Sequence, residues 1–212
     1  SETDMAYKVN AVGARNLAQS AESIQAKLIQ ISTDDVFSSA SDTPYNEFDD
    51  VNPVGLFAKS KYAGEKFVIQ LMTRYVIIRS SWIYGIGKDF LNEVLEAAAD
   101  PKVSTMELWN NDRAVPTSAA ELARVVKFFI DNDHYGIYHA VCSGGSCTRL
   151  EFAEEILRLA GKEDQLTVTV KDRAPEKYSV LDNMMLRLNG IEEPDDWRET
   201  LAAYMNETGG LE

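Results

Sequence analysis

The chain has 212 residues, with 45% hydrophobic and 26% charged residues, enough for a sizeable globular core. Its formal net charge of -13 repels phosphate backbones and anionic lipid surfaces, which argues against nucleic acid or membrane partners. No run of eighteen apolar residues and no basic-plus-apolar leader is present, and the two cysteines, Cys142 and Cys147, lack partners at disulfide-framework or zinc spacing. A cytoplasmic protein with two core thiols is the expectation.

In chain order, Met5, Val9, Val12, Leu17 and Ala21 recur at helical spacing, with Thr3 or Asp4 as a cap. The run from Lys27 to Ser32 reads as a buried strand, and a polar loop follows from Thr33 to Val54. The pattern then predicts a helix over 57–71, a strand over 75–79, a helix over 90–99 and a short strand over 103–109. A helix over 118–132 opens at Thr117 or Ser118 with Glu121 behind it, and a strand over 136–141 follows. The chain closes with a helix over 148–160, a strand over 166–170 and a helix over 195–204. Strands separated by crossover helices imply a parallel sheet covered on both faces, with ligands at the carboxyl ends of the strands. The loops after Ser32, Arg79 and Val141 are therefore where chemistry is sought. Leu211-Glu212, after Gly209-Gly210, has the look of a tag scar.

The chemical signal begins at Ile31-Ser32-Thr33-Asp34. Phe57-Ala58-Lys59-Ser60-Lys61 begins twenty-four residues after Thr33. A tyrosine and a lysine four residues apart share one helix face, so the ammonium can lower the phenol's pKa and help it protonate a ketone oxygen. A Ser or Thr from the preceding strand end bonds the same oxygen. Here phenylalanine stands in the tyrosine's place.

The stretch Ser32-Thr33-Asp34-Asp35-Val36-Phe37 resembles the Ser-Thr-Asp-Tyr-Val-Phe of the dTDP-4-dehydrorhamnose reductase family, extended short-chain dehydrogenase/reductases. Pro44-Tyr45-Asn46-Glu47, Lys59-Ser60-Lys61-Tyr62-Ala63-Gly64-Glu65, Arg79-Ser80-Ser81-Trp82-Ile83-Tyr84-Gly85, Asp89-Phe90-Leu91, Pro116-Thr117 and Tyr178-Ser179-Val180-Leu181-Asp182-Asn183 extend the likeness through to Trp197. The resemblance implies an α/β fold. It would be a partial Rossmann-like, doubly wound parallel sheet without its first three strands, plus a small α+β substrate domain. Residues 1–85 and 117–141 would belong to the dinucleotide-binding part and residues 86–116 and 142–210 to the substrate part.

It further implies Thr33, Lys61 and the tyrosine slot Phe57 as catalytic positions, and Lys61, Ser32, Ser81 and Trp82 at an NADPH or NADH cofactor. Asp35, Trp82, Phe90 and Thr117 would meet a dTDP-sugar whose 4-keto group is reduced on the way to dTDP-L-rhamnose. Three departures bear on activity: Asp35 replaces an aromatic hydroxyl, Phe57 has no O–H, and Gly13 is the only glycine before Gly55, so no Gly-rich phosphate turn precedes the first helix. An impaired or inactive reductase is expected, and a non-catalytic regulatory or binding protein of the same family stays open. Without a first strand beside it, the strand over 27–32 becomes an apolar edge through which a homodimer is expected.

Among single residues, Phe57 can also be a core aromatic, Thr33 a strand-end cap, Trp82 a sugar platform or plain packing, and Asn10 a solvent-exposed helix residue. Tyr62 points to a different helix face from Lys61. His134 and His139 carry no assigned role.

Overall fold

A computed structural model describes residues 1–39, 41–109, 111–171 and 177–208. The residues 209–212, including the expected tag scar, lie outside the described residues.

The first helical run is longer than its apolar pattern predicts and is not uniform. Helix α1 (Glu2–Tyr7) passes without a break through a π-helical turn (Lys8–Gly13) into α2 (Ala14–Ser23). Its cap is Ser1, which shares a reciprocal capping box with Asp4, rather than Thr3 or Asp4. Strand β1 (Leu28–Thr33) leads through a 3-10 turn at Asp34–Val36 and a long loop to α3 (Leu56–Leu71), then to β2 (Tyr75–Ser80). Next come β3 (Ile83–Tyr84), α4 (Phe90–Ala99), β4 (Thr105–Trp109), β5 (Asp112–Ala114), β6 (Thr117–Ser118), α5 (Ala119–Asp131) and β7 (Gly136–His139). The chain finishes with β8 (Cys147–Thr148), α6 (Arg149–Ala160), β9 (Thr167–Lys171), β10 (Lys177–Tyr178), α7 (Met184–Leu188) and α8 (Trp197–Glu207). The two-residue strands and α7 are too short to leave a periodic signal in the sequence.

Strands β1, β2 and β7 form a parallel sheet in that order, with Thr33 opposite Ser80 and Arg79 opposite His139. One face packs Ile77 against Ala18, Val68 and Met72 from α2 and α3. The other packs Val76, Ile78 and Tyr138 against Leu122, Val125 and Phe129 of α5 and Leu186 of α7. Helices on both faces explain why these strands are apolar on both sides. The outer edge of β1 has no strand partner among the described residues.

A third, larger core gathers Leu91, Val94, Phe152, Ile156, Trp197 and Leu201 from α4, α6 and α8. The expected strand over 103–109 is shorter and pairs in parallel with β9 in a separate two-stranded ribbon. Both cysteines are buried and free, as the sequence suggests.

The long loop after β1 is tied to residues far along the chain. The backbone N–H of Tyr45 donates to the Val180 carbonyl (2.8 Å), and Glu47 accepts from the backbone N–H groups of His139 (2.7 Å) and Met185 (3.2 Å). His139 is fully buried, with Nδ1 at 3.1 Å from the carbonyl oxygens of both Tyr45 and Asp182. Burial, helped by the Arg79 charge, pushes its pKa down to about 3. A neutral, structural ring is the result.

Beneath β2, Arg79 and Glu65 form a two-pronged ion pair at 3.2 and 2.8 Å, with side chains only 3% and 0% exposed. The Arg79 guanidinium also stacks over Phe37 at 5.4 Å.

Candidate active site

A pocket of about 340 Å³ opens at the carboxyl ends of β1 and β2, where an open parallel sheet places its ligands. Ser32, Thr33 and Asp34 reach it from the end of β1, Ser80 and Trp82 from the end of β2, and Phe57 and Lys61 from α3. Asp35, Arg149 and Lys177 complete its polar wall.

Lys61 donates from Nζ to the Ile31 carbonyl at 2.7 Å, which fixes the ammonium at the strand end. Burial lowers its pKa, and Glu65 one turn further along α3 opposes that effect. Phe57 is 53% exposed, so it is not a core aromatic: it stands at the pocket's rim one helical turn before Lys61. It lines the same pocket as Lys61 and has no phenol oxygen. Tyr62 packs instead against the larger core and does not line the pocket.

Thr33 both caps the 3-10 turn and lines the pocket. Its Oγ1 accepts from the Asp35 N–H at 3.1 Å and donates to Asp34 Oδ1 at 3.1 Å. Asp34 is 5% exposed. Burial, then the neighbouring Asp35 charge, pushes its pKa up to about 6, while Ser179, Lys177 and Thr33 pull the other way. Asp35 pairs with Lys177 at 2.6 Å.

Three cations, Lys61, Arg149 and Lys177, thus converge on a pocket in a chain whose net charge is -13. The Arg149 guanidinium carbon lies over the Trp82 ring at 3.8 Å and the Phe90 ring at 4.5 Å. It also lines a neighbouring cavity of about 480 Å³ with Phe90, Met106 and Trp109. Trp82 is therefore both an aromatic wall and a packing partner of Phe152, and it holds a left-handed backbone with φ of 41°.

Three expected contacts fall outside this pocket, Phe90 among them, which lines the neighbouring cavity. Ser81 and Thr117, assigned to cofactor and substrate, are buried beneath the pocket, and both hydroxyls donate to the Val115 carbonyl, at 2.7 and 3.3 Å. Thr117 is held in β6 by its pairing with Ile83 of β3. Asn10 is half-buried rather than solvent-exposed, and its amide donates to Ser60 Oγ at 2.9 Å, which in turn donates to the Phe57 carbonyl at 2.8 Å. The π-helical turn brings Asn10 to this position, and Gly64 makes room for the Asn10 carbonyl, because a β-carbon there would collide with that oxygen.

Asp34 and Ser80 lie inside matched motifs that gave them no role, and Arg149 and Lys177 lie in none. For Ser80 the signal was available, because it is the parallel partner of Thr33.

A family model described as RmlD substrate binding domain matches residues 1–209. The chain belongs to that family. It is 35% identical to the spore coat polysaccharide biosynthesis protein SpsK of Bacillus subtilis, covering 97% of this chain and 73% of that protein. It is 30% identical to the dTDP-4-dehydrorhamnose reductase of Mycolicibacterium smegmatis, covering 94% of this chain and 63% of that protein. The crystal structure of dTDP-4-dehydrorhamnose reductase from Bacillus anthracis in complex with NADP superposes with a TM-score of 0.91 at 35% identity, over 98% of this chain and 74% of that one. The chain thus spans between three fifths and three quarters of the length of these relatives. The fold is the mixed α/β, Rossmann-like one that the motifs implied.

Among the described residues no helix is long and apolar enough to cross a membrane, and no cluster of His, Cys, Asp and Glu has metal-binding geometry.

Proposed function

We propose that this pocket binds a dTDP-4-keto sugar beside a nicotinamide cofactor, and that the chain is a reductase-type member of its family slowed by Phe57. The observation that carries this reading is the convergence of Thr33, Phe57 and Lys61 on one pocket at the strand ends. The buried hydroxyls of Ser32 and Ser80 at the same place have no hydrogen-bond partner among the described residues, and unpartnered buried hydroxyls are costly unless a ligand meets them. They and the Lys61 ammonium fit the hydroxyl-rich ribose and nicotinamide end of a dinucleotide, which when bound supplies hydride. Arg149 and Lys177 fit a sugar diphosphate. Trp82 offers its ring to a sugar face, and Asp35 takes the place of the family's aromatic hydroxyl.

The chemical role of each residue follows from its partners. Lys61, held by the Ile31 carbonyl, anchors ribose, and Thr33, whose hydroxyl donates to Asp34, stands beside the carbonyl oxygen. Phe57 gives no proton, which removes about 10² to 10⁴ in rate. In this reading the residues around the three-stranded sheet hold the cofactor, and those around α4, α6 and α8 hold the sugar. The edge of β1 has no strand partner among the described residues and could take a second copy; light scattering would detect such a homodimer, and a monomer at high concentration would refute it.

The test is Phe57→Tyr, with reduction of dTDP-4-dehydrorhamnose followed through nicotinamide absorbance, and calorimetry of NADPH and dTDP-rhamnose binding. A gain of at least tenfold in rate, with binding little changed, is the expected result. Binding of neither ligand, together with no gain, would refute the assignment.

A further inference from the structure

The Thr33 hydroxyl has one hydrogen, and in the structure that hydrogen is already spent on Asp34: Oγ1 donates to Asp34 Oδ1 and accepts the Asp35 N–H, both at 3.1 Å. A hydroxyl so engaged has only a lone pair left for the pocket. It can accept from a ligand there, and it cannot donate to a ketone oxygen. The carboxyl beside it is buried, lines the same pocket, and leaves Oδ2 with no hydrogen-bond partner of good geometry among the described residues. A protonated carboxyl reverses the hydrogen bond, because its O–H donates to Thr33 and frees the threonine's own hydrogen to turn outward.

We propose that Asp34 is a positioning residue that controls the direction of the Thr33 hydroxyl, so that Thr33 donates to a carbonyl oxygen in the pocket only while Asp34 holds a proton. The idea rests on the ketone-reducing reading of the pocket. When the carbonyl carbon takes a hydride from the reduced nicotinamide, its oxygen takes the hydrogen of Thr33. Thr33 then takes the proton of Asp34, and water restores that proton. With Phe57 in the tyrosine slot, this relay gives the pocket a route through a protein hydroxyl at the end of β1.

Four elements bear on the carboxyl's charge. Asp35 on the same turn opposes ionisation, whereas Lys177 and Ser179 from the β10 segment and the Thr33 hydroxyl from β1 favour it. Arg149, at the start of α6, is itself favoured as a cation by Asp34. Burial outweighs the favourable groups and holds the midpoint near 6, within the range where a small pH change redirects the hydroxyl.

The experiment has two arms. In the first, the Asp34 carboxyl carbon is titrated by NMR in the chain alone and in Thr33→Val. The proposal expects a midpoint well above the ordinary carboxylate value, moving further up in Thr33→Val because a donor to the carboxylate is gone. An ordinary midpoint, or one that Thr33→Val leaves in place, overturns the proposal. In the second, a dTDP-4-keto-6-deoxy sugar is titrated calorimetrically at pH 5 and pH 8. Binding is expected to be about two- to tenfold tighter at pH 5, the worth of one hydrogen bond. In Asp34→Asn, whose amide can donate to Thr33 at any pH, that ratio should vanish. Equal affinity at the two pH values in the unaltered chain overturns the relay. No binding at either pH refutes the sugar reading instead, and the first arm then decides the relay on its own.

Discussion

Glu65→Gln offers the sharpest test of how the floor of the pocket is held. The carboxylate is fully buried and takes both prongs of Arg79, itself 3% exposed, so neutralising it leaves a guanidinium in the interior without its counter-charge. Removing one partner of such a pair costs about 3–5 kcal/mol, whereas replacing both by apolar groups of similar volume is often close to neutral. For a chain of this size each kcal/mol shifts Tm by about 2–4 °C, so a fall of about 6–20 °C is expected. Urea unfolding measures the free energy directly, and the double variant Glu65→Leu/Arg79→Met should recover most of the loss. The same substitution has a second readout. Glu65 supports the Lys61 ammonium against burial, so its removal should lower the Lys61 pKa further, as an NMR titration of Nζ would show. A loss under about 1 kcal/mol, or a double variant as unstable as the sum of the singles, would refute the reasoning.

Other expectations rest on the same structure. Gly64→Ala drives a β-carbon into the backbone oxygen of Asn10, which cannot swing away as a side chain could, and should cost about 1–3 kcal/mol in urea unfolding. His139 is neutral when folded and protonates more easily when unfolded, so the unfolded state binds the extra proton between pH 6.5 and about 3. The stability it contributes is complete above pH 6.5 and falls as the pH drops through that window. The decline approaches about 1.4 kcal/mol per pH unit and should shrink in His139→Gln. Cys142 and Cys147 are buried, and burial pushes both thiols up, Cys147 to about 12. Disulfide reagents should therefore label them only as fast as the protein unfolds, and rapid labelling under native conditions would contradict the packing.

The parts of the site that are legible in the sequence are those joined by short-range geometry. Phe57 and Lys61 sit one helical turn apart, so spacing predicts that they share a face, and the resemblance implies that Thr33 at the end of β1 joins them. Lys177 is 142 residues from the Asp35 it pairs with, and Arg149 merely opens a helix behind a Thr148 cap; no local pattern connects either to the pocket. Phe57 is ambiguous in sequence because an aromatic on a helix facing a sheet fits a core as readily as a rim. Asn10 reads as exposed because one π-helical turn rotates the downstream helix by an amount that a regular apolar pattern does not record. Ser81 and Thr117 fall inside matched motifs in sequence, yet both hydroxyls are buried and donate to the Val115 carbonyl. A motif match identifies the loop, and the backbone decides which side chains of that loop face the pocket.

Trp82 shows how that decision divides selection pressures. A bulky residue at φ 41° sits where glycine is at ease, so its backbone is strained by about 1–3 kcal/mol. Its ring, however, carries the stack against Arg149 and faces the pocket. A library at position 82 sorted for thermal endurance should drift toward Gly or Asn, and one sorted for ligand capture should return Trp. The two searches would leave the same starting sequence in opposite directions, and their divergence would measure how much conformational ease the chain gives up to keep an aromatic surface in the cleft.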